Sequence, residues 1–240
     1  MGQEVAANII NDVAIEVGLI PAPINDPFAS IDPNILQLAK LLKSGGRTLR
    51  KRYSWTHLQY QYTFNTIANQ GRYVLPVDYG KYINQTAWNR TNRLPLGGPL
   101  SPQEFEYFKA RLVGVVFTTL FRILQQQFQV YPDTSTPGGY TIAFEYVSSF
   151  WVVPSATQVT SGSWQNATTY PNGTFIRNGG NIYQATQAGS GVSGGFGPTG
   201  TGAGITDGTC VWSFISVGGA DAPASSQDLV QFDSHLMTGS

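Results

Sequence analysis

Leu58-Gln59-Tyr60-Gln61-Tyr62-Thr63-Phe64 alternates apolar and polar residues, and the reading of this stretch decides the fold class. A period of two places Leu58, Tyr60, Tyr62 and Phe64 on one face of a half-buried strand. β-structure continues over residues 55–88. Asn69-Gln70-Gly71 reads as a turn, and Tyr73-Val74-Leu75-Pro76 and Tyr82-Ile83-Asn84-Gln85 read as short strands broken by Pro76 and Gly80. Downstream, Val115-Val116-Phe117, Phe121 to Tyr131 and Tyr140 to Val153 are β-branched and aromatic. There Phe121, Ile123, Phe128 and Val130, then Ile142, Phe144 and Tyr146, predict a hairpin turned by Asp133 to Gly139.

Helical patterns flank this β-region. Val5, Ile9, Ile10, Val13 and Val17 recur at helical spacing over residues 3–18, with Gly18 and Pro21 as stops. Asp32 is a good N-cap and Pro33 suits the first helical position, so a second helix starts there, with Ile35, Leu38, Ala39 and Leu42 inward. Gly45-Gly46 predicts its end or interruption. Ser101-Pro102-Gln103-Glu104 carries the capping-box pattern and opens a third helix over 102–112. Leu229-Val230-Gln231-Phe232 reads as a last strand. Together these predict an α+β chain, an N-terminal helical bundle joined to an antiparallel β-domain.

Composition changes near residue 156. Residues 156–220 hold 15 of the 27 glycines and two charges, Arg177 and Asp207. Trp164, Tyr170, Phe175, Tyr183 and Trp212 are its aromatic landmarks, and the glycine-rich run 189–204 excludes a helix. A small all-β module with one long, flexible exposed loop is the expectation, inserted between a core of 1–153 plus 225–240 and occupying 156–220.

The 240 residues are 12% charged with zero net charge, yet thirteen of the 14 basic residues lie at or before Arg122. The halves on either side of Arg122 therefore carry net +5 and −5, which points to different partners for different surfaces. Lys40, Lys43, Arg47, Arg50, Lys51 and Arg52 put six cations into 13 residues. Such a run can hold DNA, meet an acidic protein patch, or complement a helix C-terminus as a solvated end. Arg90 and Arg93 beside Trp88 can contact DNA or a neighbouring subunit, or Arg90 can stack on an aromatic.

Several classes are disfavoured. A hydrophobic content of 41% argues against wholesale disorder. Cys210 alone makes no disulfide framework, and is expected as a buried thiol; His57 and His235 leave few metal or acid–base options. No Gly-x-Ser-x-Gly or phosphate-loop pattern occurs, and Glu104, Glu106 and Glu145 are glycosidase candidates by type only. No catalytic, metal or cofactor residue is therefore expected. The N-terminus lacks a secretory pattern and no stretch nears ~18 apolar residues, so the expectation is assembly in a cytoplasm without a membrane.

The order of these parts carries a resemblance. Leu58 to Phe64, Gly71 to Pro76, Ala87-Trp88-Asn89-Arg90-Thr91-Asn92-Arg93-Leu94-Pro95-Leu96, the capped helix from Ser101, and Ile142 to Tyr146 follow one another as in the head-to-tail adaptors of tailed bacteriophages. Over about 1–153 and 225–236 the chain resembles that family, which includes the tail tubular protein A group. The resemblance implies a structural virion protein at the head–tail junction, with no enzymatic activity. Its partners would be other copies of itself in a ring of twelve, the portal protein, downstream tail, nozzle or fibre components, and the double-stranded DNA passing through the channel during ejection. Lys40, Lys43, Arg47, Arg50, Lys51, Arg52, Arg90 and Arg93 would then face DNA or portal. Family members carry a helix and C-terminal arm after the last strand; here Asp233 to Ser240 follow, which leaves docking by such an arm open. The module with Trp164, Tyr170, Tyr183 and Trp212 is similar to small β-modules of virion proteins and chitin-binding domains. That likeness implies an alternative, a receptor- or carbohydrate-binding collar protein whose aromatics stack on sugar or meet a partner.

Overall fold

The computed structural model describes residues 4–110, 119–132, 139–153, 162–220, 223–225 and 227–231. The chain is of mixed α+β class; among the described residues the helices lie in the first half and the sheets are almost wholly antiparallel.

The first helix is shorter at its start than its periodicity suggests. Glu4–Val5 form strand β1, and α1 covers Ala6–Glu16. β1 pairs with β18 (Leu229–Val230), whose other edge pairs with β10 (Val152–Val153). Val5 thus enters a ladder, and Val17, expected inward, is 66% exposed. The buried stripe is Ala6, Ile9, Ile10 and Ala14, and it packs on Ile35, Ala39 and Leu42 of α2 (Pro33–Arg52). Asn11 secures the proline-rich connection, donating to Ile24 O (2.9 Å) and accepting from Ile24 N–H (3.0 Å). Asp32 caps α2 by accepting from Asn34 N–H at 2.8 Å.

Gly45-Gly46 does not end α2, which runs on to Arg52. Gly46 is buried against the Trp151 indole, which occupies the space where a Cβ would project. The glycine serves close approach rather than termination. Leu58, Val147, Trp151 and Val230 complete this first core.

β2 (Gln59–Asn65) pairs over its whole length with β9 (Thr141–Ser148), from Gln59↔Val147 to Asn65↔Thr141. The other edge of β9 takes β4 (Tyr79–Tyr82) and β5 (Trp88–Asn89), and β5 pairs with β6 (Leu94–Pro95). A second sheet orders β3 (Arg72–Val74), β8 (Gln127–Tyr131) and β7 (Leu120–Leu124). Aromatic rings fill the space between the sheets. Phe128 stacks on Phe121 (4.5 Å between centroids) and on Phe144 (5.3 Å).

The expected hairpin between Phe128–Val130 and Ile142–Tyr146 does not form. β8 pairs with β7 and β3, while β9 belongs to the sheet of β2. The tight turn is Gln125-Gln126, both at positive φ (51° and 60°). Residues 133–138, the expected turn, and the stretch Val115-Val116-Phe117 lie outside the described residues.

α3 (Pro102–Ala110) opens with the expected capping box: Ser101 N–H donates to Glu104 Oε2 (2.9 Å) and Glu104 N–H to Ser101 Oγ (3.2 Å). Its Phe105 lies under the Arg122 guanidinium, 4.1 Å from the ring centroid. α3 therefore goes with the second sheet, and the N-terminal helices form a pair.

Between β10 and β18, two strands in one sheet, the chain builds a further set of strands. β11 (Gly162–Ser163), β13 (Phe175–Asn178), β14 (Asn181–Ala185), β17 (Cys210–Val217) and β16 (Ile205–Asp207) are hydrogen-bonded in that order. β12 (Thr169–Pro171) pairs with β15 (Ser190–Val192). Tyr170, Ile176, Tyr183, Ala185, Cys210 and Trp212 make a separate core. The glycine-rich run is not a free loop: Gly191, Gly197 and Pro198 are buried, Tyr183 Oη donates to Gly200 O (2.8 Å), and Asn178 Nδ2 donates to Pro198 O (3.0 Å).

These strands rest on β2. Thr63 is buried on the face opposite Tyr62's core, and its hydroxyl donates to Phe196 O at 3.3 Å. Nearby, Asp78 is 3% exposed and accepts from Tyr146 Oη (2.7 Å) and Ser148 Oγ (2.8 Å). The carboxyl packs against Gly180, at φ +79°, leaving no room for a Cβ there. Burial pushes the Asp78 carboxyl up, opposed by the hydrogen bonds of Tyr146 and Ser148 and by the charge of Arg177.

Candidate functional site

α2 displays a basic face. Positions 40, 44, 47, 48 and 51 recur at three- and four-residue spacing and so share one side of the helix. Lys40, Lys43, Ser44, Arg47, Thr48 and Lys51 line a shallow groove of about 340 Å³ there, with no acidic residue in the lining. At 1.5 Å per residue the stripe from Lys40 to Lys51 is roughly 16 Å long. Lys43 is half-buried, its ammonium 5.4 Å from the centroid of the Phe28 ring, which sits on the 3₁₀ turn Pro27–Ala29. Arg50, Lys51 and Arg52 also stand in the last turn, where cations complement the helix dipole.

The six cations of this run divide by role. Lys40, Arg47 and Lys51 are exposed on the groove. Arg50 is half-buried and donates from Nη1 to Ser149 O at 2.8 Å, tying α2 to the end of β9. Arg52 borders a second hollow with Arg50, Lys51 and Lys81. Lys81 was missed by sequence reasoning: it lies 29 residues beyond Arg52 with no local cluster to mark it, and only strand pairing brings it beside the end of α2.

Arg90 and Arg93 are not part of this face. They belong to the β5–β6 region, where Asn89 pairs with Ile142, at the far end of β9 from Ser149. Seven residues of strand separate the two places by roughly 20 Å. Arg90 Nη2 donates to Gln61 Oε1 at 2.7 Å, and both arginines line a hollow of about 430 Å³ with Trp88, Gln61 and Glu145.

The aromatic candidates of the glycine-rich region divide as well. Tyr183 and Trp212 are fully buried and Tyr170 is 8% exposed, all in the core of that region, so their ring faces offer no stacking platform. Trp164 is half-buried and donates its indole N–H to Asp207 Oδ2 at 2.9 Å. Cys210 is a free, buried thiol, pushed up by burial.

Residues raised as chemical candidates have structural settings. Glu104 is held below the usual carboxylate range by its hydrogen bonds with Ser101. Glu106 pairs with Arg122 (3.5 Å) and Lys109 (3.7 Å). His57, pulled down by burial, lies beside the Trp55 ring. His235 lies outside the described residues. Among the described residues no three His, Cys, Asp or Glu side chains are grouped to hold a metal, and no helix is long and apolar enough to cross a membrane.

A row of exposed cations without interleaved acids can neutralise successive phosphates of a nucleic acid, or meet an acidic protein surface, without reading sequence. No family model matches the chain, and no curated protein matches it either.

Proposed function

We propose that this chain is a structural protein of a tailed-phage virion: a head-to-tail adaptor whose copies close into a ring between portal and tail. The observation that carries the reading is the basic outer face of α2, Lys40–Arg47–Lys51, set on a helix pair whose other outer face is acidic. α1 shows Asp12 and Glu16 outward with Ile15, and Leu19 just beyond the helix is exposed as well, Ile15 and Leu19 each at 41%. α1 and α2 bury their inner faces on each other, so these outer faces point away from the shared core. Opposite charge on two outer faces suits a heterologous contact, repeated head to tail until the ring closes. Basic residues left uncovered would follow the DNA exit path or dock on the portal.

In this reading residues 1–153 and 225–240 are the adaptor core, with the helix pair as its small helical bundle, and 156–220 are an inserted decorating module. The departure and return of the module between β10 and β18 support that division. Twelve copies, portal and tail partners, and location at the head–tail junction follow from the resemblance of the core.

Native mass spectrometry and negative-stain imaging of the chain mixed with its cognate portal test the proposal. Rings of a single stoichiometry on the portal are the expected result. A chain that stays monomeric with portal at micromolar concentration overturns it.

A further inference from the structure

A cleft of about 310 Å³ runs along the seam between β2 and the glycine-rich region. Its size falls at the lower end of ligand sites, roughly 300–1,000 Å³. Tyr60 and Gln61 of β2 form one wall, Arg90 one end, and Trp164, Asn166 and Arg177 the opposite wall.

Three features of this cleft point to one ligand chemistry. Two guanidiniums line it and no carboxylate does. Arg177 is the single Lys or Arg after Arg122, and the fold puts it here. It donates from Nη1 to Tyr60 Oη at 3.2 Å, and its Nε is packed away from the cleft against Gly218, without a hydrogen-bond acceptor among the described residues. Asp78 offsets part of the Arg177 charge, but its oxygens already accept from Tyr146 and Ser148. A planar guanidinium is matched to the oxygens of a carboxylate or a phosphate.

The second feature is the carboxamides. Gln59, Gln61, Gln165 and Asn166 line the cleft, and each amide presents donors and an acceptor side by side. Sugar hydroxyls also donate and accept, whereas a phosphodiester only accepts. The third feature is apolar surface. No aliphatic side chain of Ala, Val, Leu, Ile or Met lines the cleft, which removes the usual pocket for a peptide side chain; its apolar surface is aromatic, from Trp164 and Tyr60. The Trp164 ring is fixed by its bond to Asp207, and Arg90 is fixed by Gln61.

We infer that this seam cleft binds an acidic saccharide. The sugar carboxylate is held by Arg90 and Arg177, a pyranose face lies against Trp164, and hydroxyls exchange hydrogen bonds with Gln61 and Asn166. The site is composite: neither wall provides it alone. It does not depend on the ring assignment and would exist in a monomer.

The test uses the full chain and saturation-transfer NMR with titration calorimetry. Probes are oligosaccharides of glucuronic, galacturonic and N-acetylneuraminic acid, each beside its carboxyl-reduced counterpart, with a short single-stranded oligonucleotide for comparison. At least one acidic saccharide is expected to bind tenfold or more tightly than its reduced form. Arg90→Ala should weaken it by tenfold or more at unchanged melting temperature; Trp164→Phe should weaken it in a folded protein that melts lower, because the buried Asp207 loses its indole donor; and Lys40→Glu leaves it unaltered. No binding by any of the three acids, equal binding of the reduced forms, tighter binding of the oligonucleotide, or indifference to Arg90→Ala each overturns the inference.

Discussion

The Trp151 indole fills the space beside Gly46 into which any side chain at that position would project. The tryptophan lies just beyond β9, the glycine lies mid-helix in α2, and both are buried in the first core. The adjacent Gly45 has nothing within 4 Å of the position of a Cβ. Two neighbouring glycines therefore make opposite demands. Gly46→Ala should destabilise the protein by about 1–3 kcal/mol through overpacking. Gly45→Ala should stabilise it by about 0.5–1 kcal/mol, since alanine is the better helix former and meets no clash. Urea unfolding of the two variants checks this, and equal shifts of the same sign would contradict it.

The aromatic residues of the glycine-rich region give a second contrast. Trp212 is fully buried and Trp164 half-buried. Trp212→Ala should cost about 3–5 kcal/mol, the range for deleting a buried large side chain, and Trp164→Ala clearly less. Differential scanning calorimetry reads both. A Trp212→Ala protein that melts like the wild type would show that its ring is not a core element.

How much of this can be read from the chain depends on the range of the interaction. The capping box at Ser101–Glu104, the Asp32 cap and the alternation through β2 are local, and each is legible. The Gly45-Gly46 run misleads because its partner, Trp151, is over a hundred residues away. The β7–β8 turn carries no glycine or asparagine, only Gln125-Gln126, so turn chemistry points instead to the richer Asp133–Gly139 stretch. The basic cluster is visible as a run, yet which cations face outward depends on helix phase: Arg50 turns in to Ser149 while Arg47 does not. The seam cleft is invisible, because Arg90 and Arg177 are 87 positions apart and come to line one cleft only when the glycine-rich region lies on β2.

Asp78 predicts a pH dependence. Burial raises its carboxyl in the folded state, so the folded protein binds that proton more tightly than the unfolded chain. Stability from this group is then greatest below the unfolded carboxylate range and falls as pH rises through the raised folded value. Asp78→Asn removes the titration and keeps an acceptor for Tyr146. The difference in unfolding free energy between wild type and Asp78→Asn should therefore shift in favour of Asn as pH rises from about 3.5 to about 7. A shift in the opposite direction would mean that Arg177 and the two hydroxyls outweigh burial.

The outer face of α2 gives the prediction most directly tied to function. Lys40, Arg47 and Lys51 are exposed on the groove, and Arg50 donates to Ser149 O. Reversing the three outward charges together should leave the melting temperature within a few degrees of wild type, because all three side chains are exposed and interactions of exposed charges contribute little to stability. Arg50→Ala should lower it, since it removes a hydrogen bond between α2 and the end of β9. If the face lies on DNA, the log–log salt dependence of binding to a random duplex should flatten by about 2–3 units in the triple reversal, near 0.9 for each phosphate no longer neutralised. Filter binding from about 50 to about 300 mM salt measures the slope. An unchanged slope, with portal docking abolished, would assign the face to an acidic portal surface; an unchanged slope with docking intact would remove the basic face from both roles.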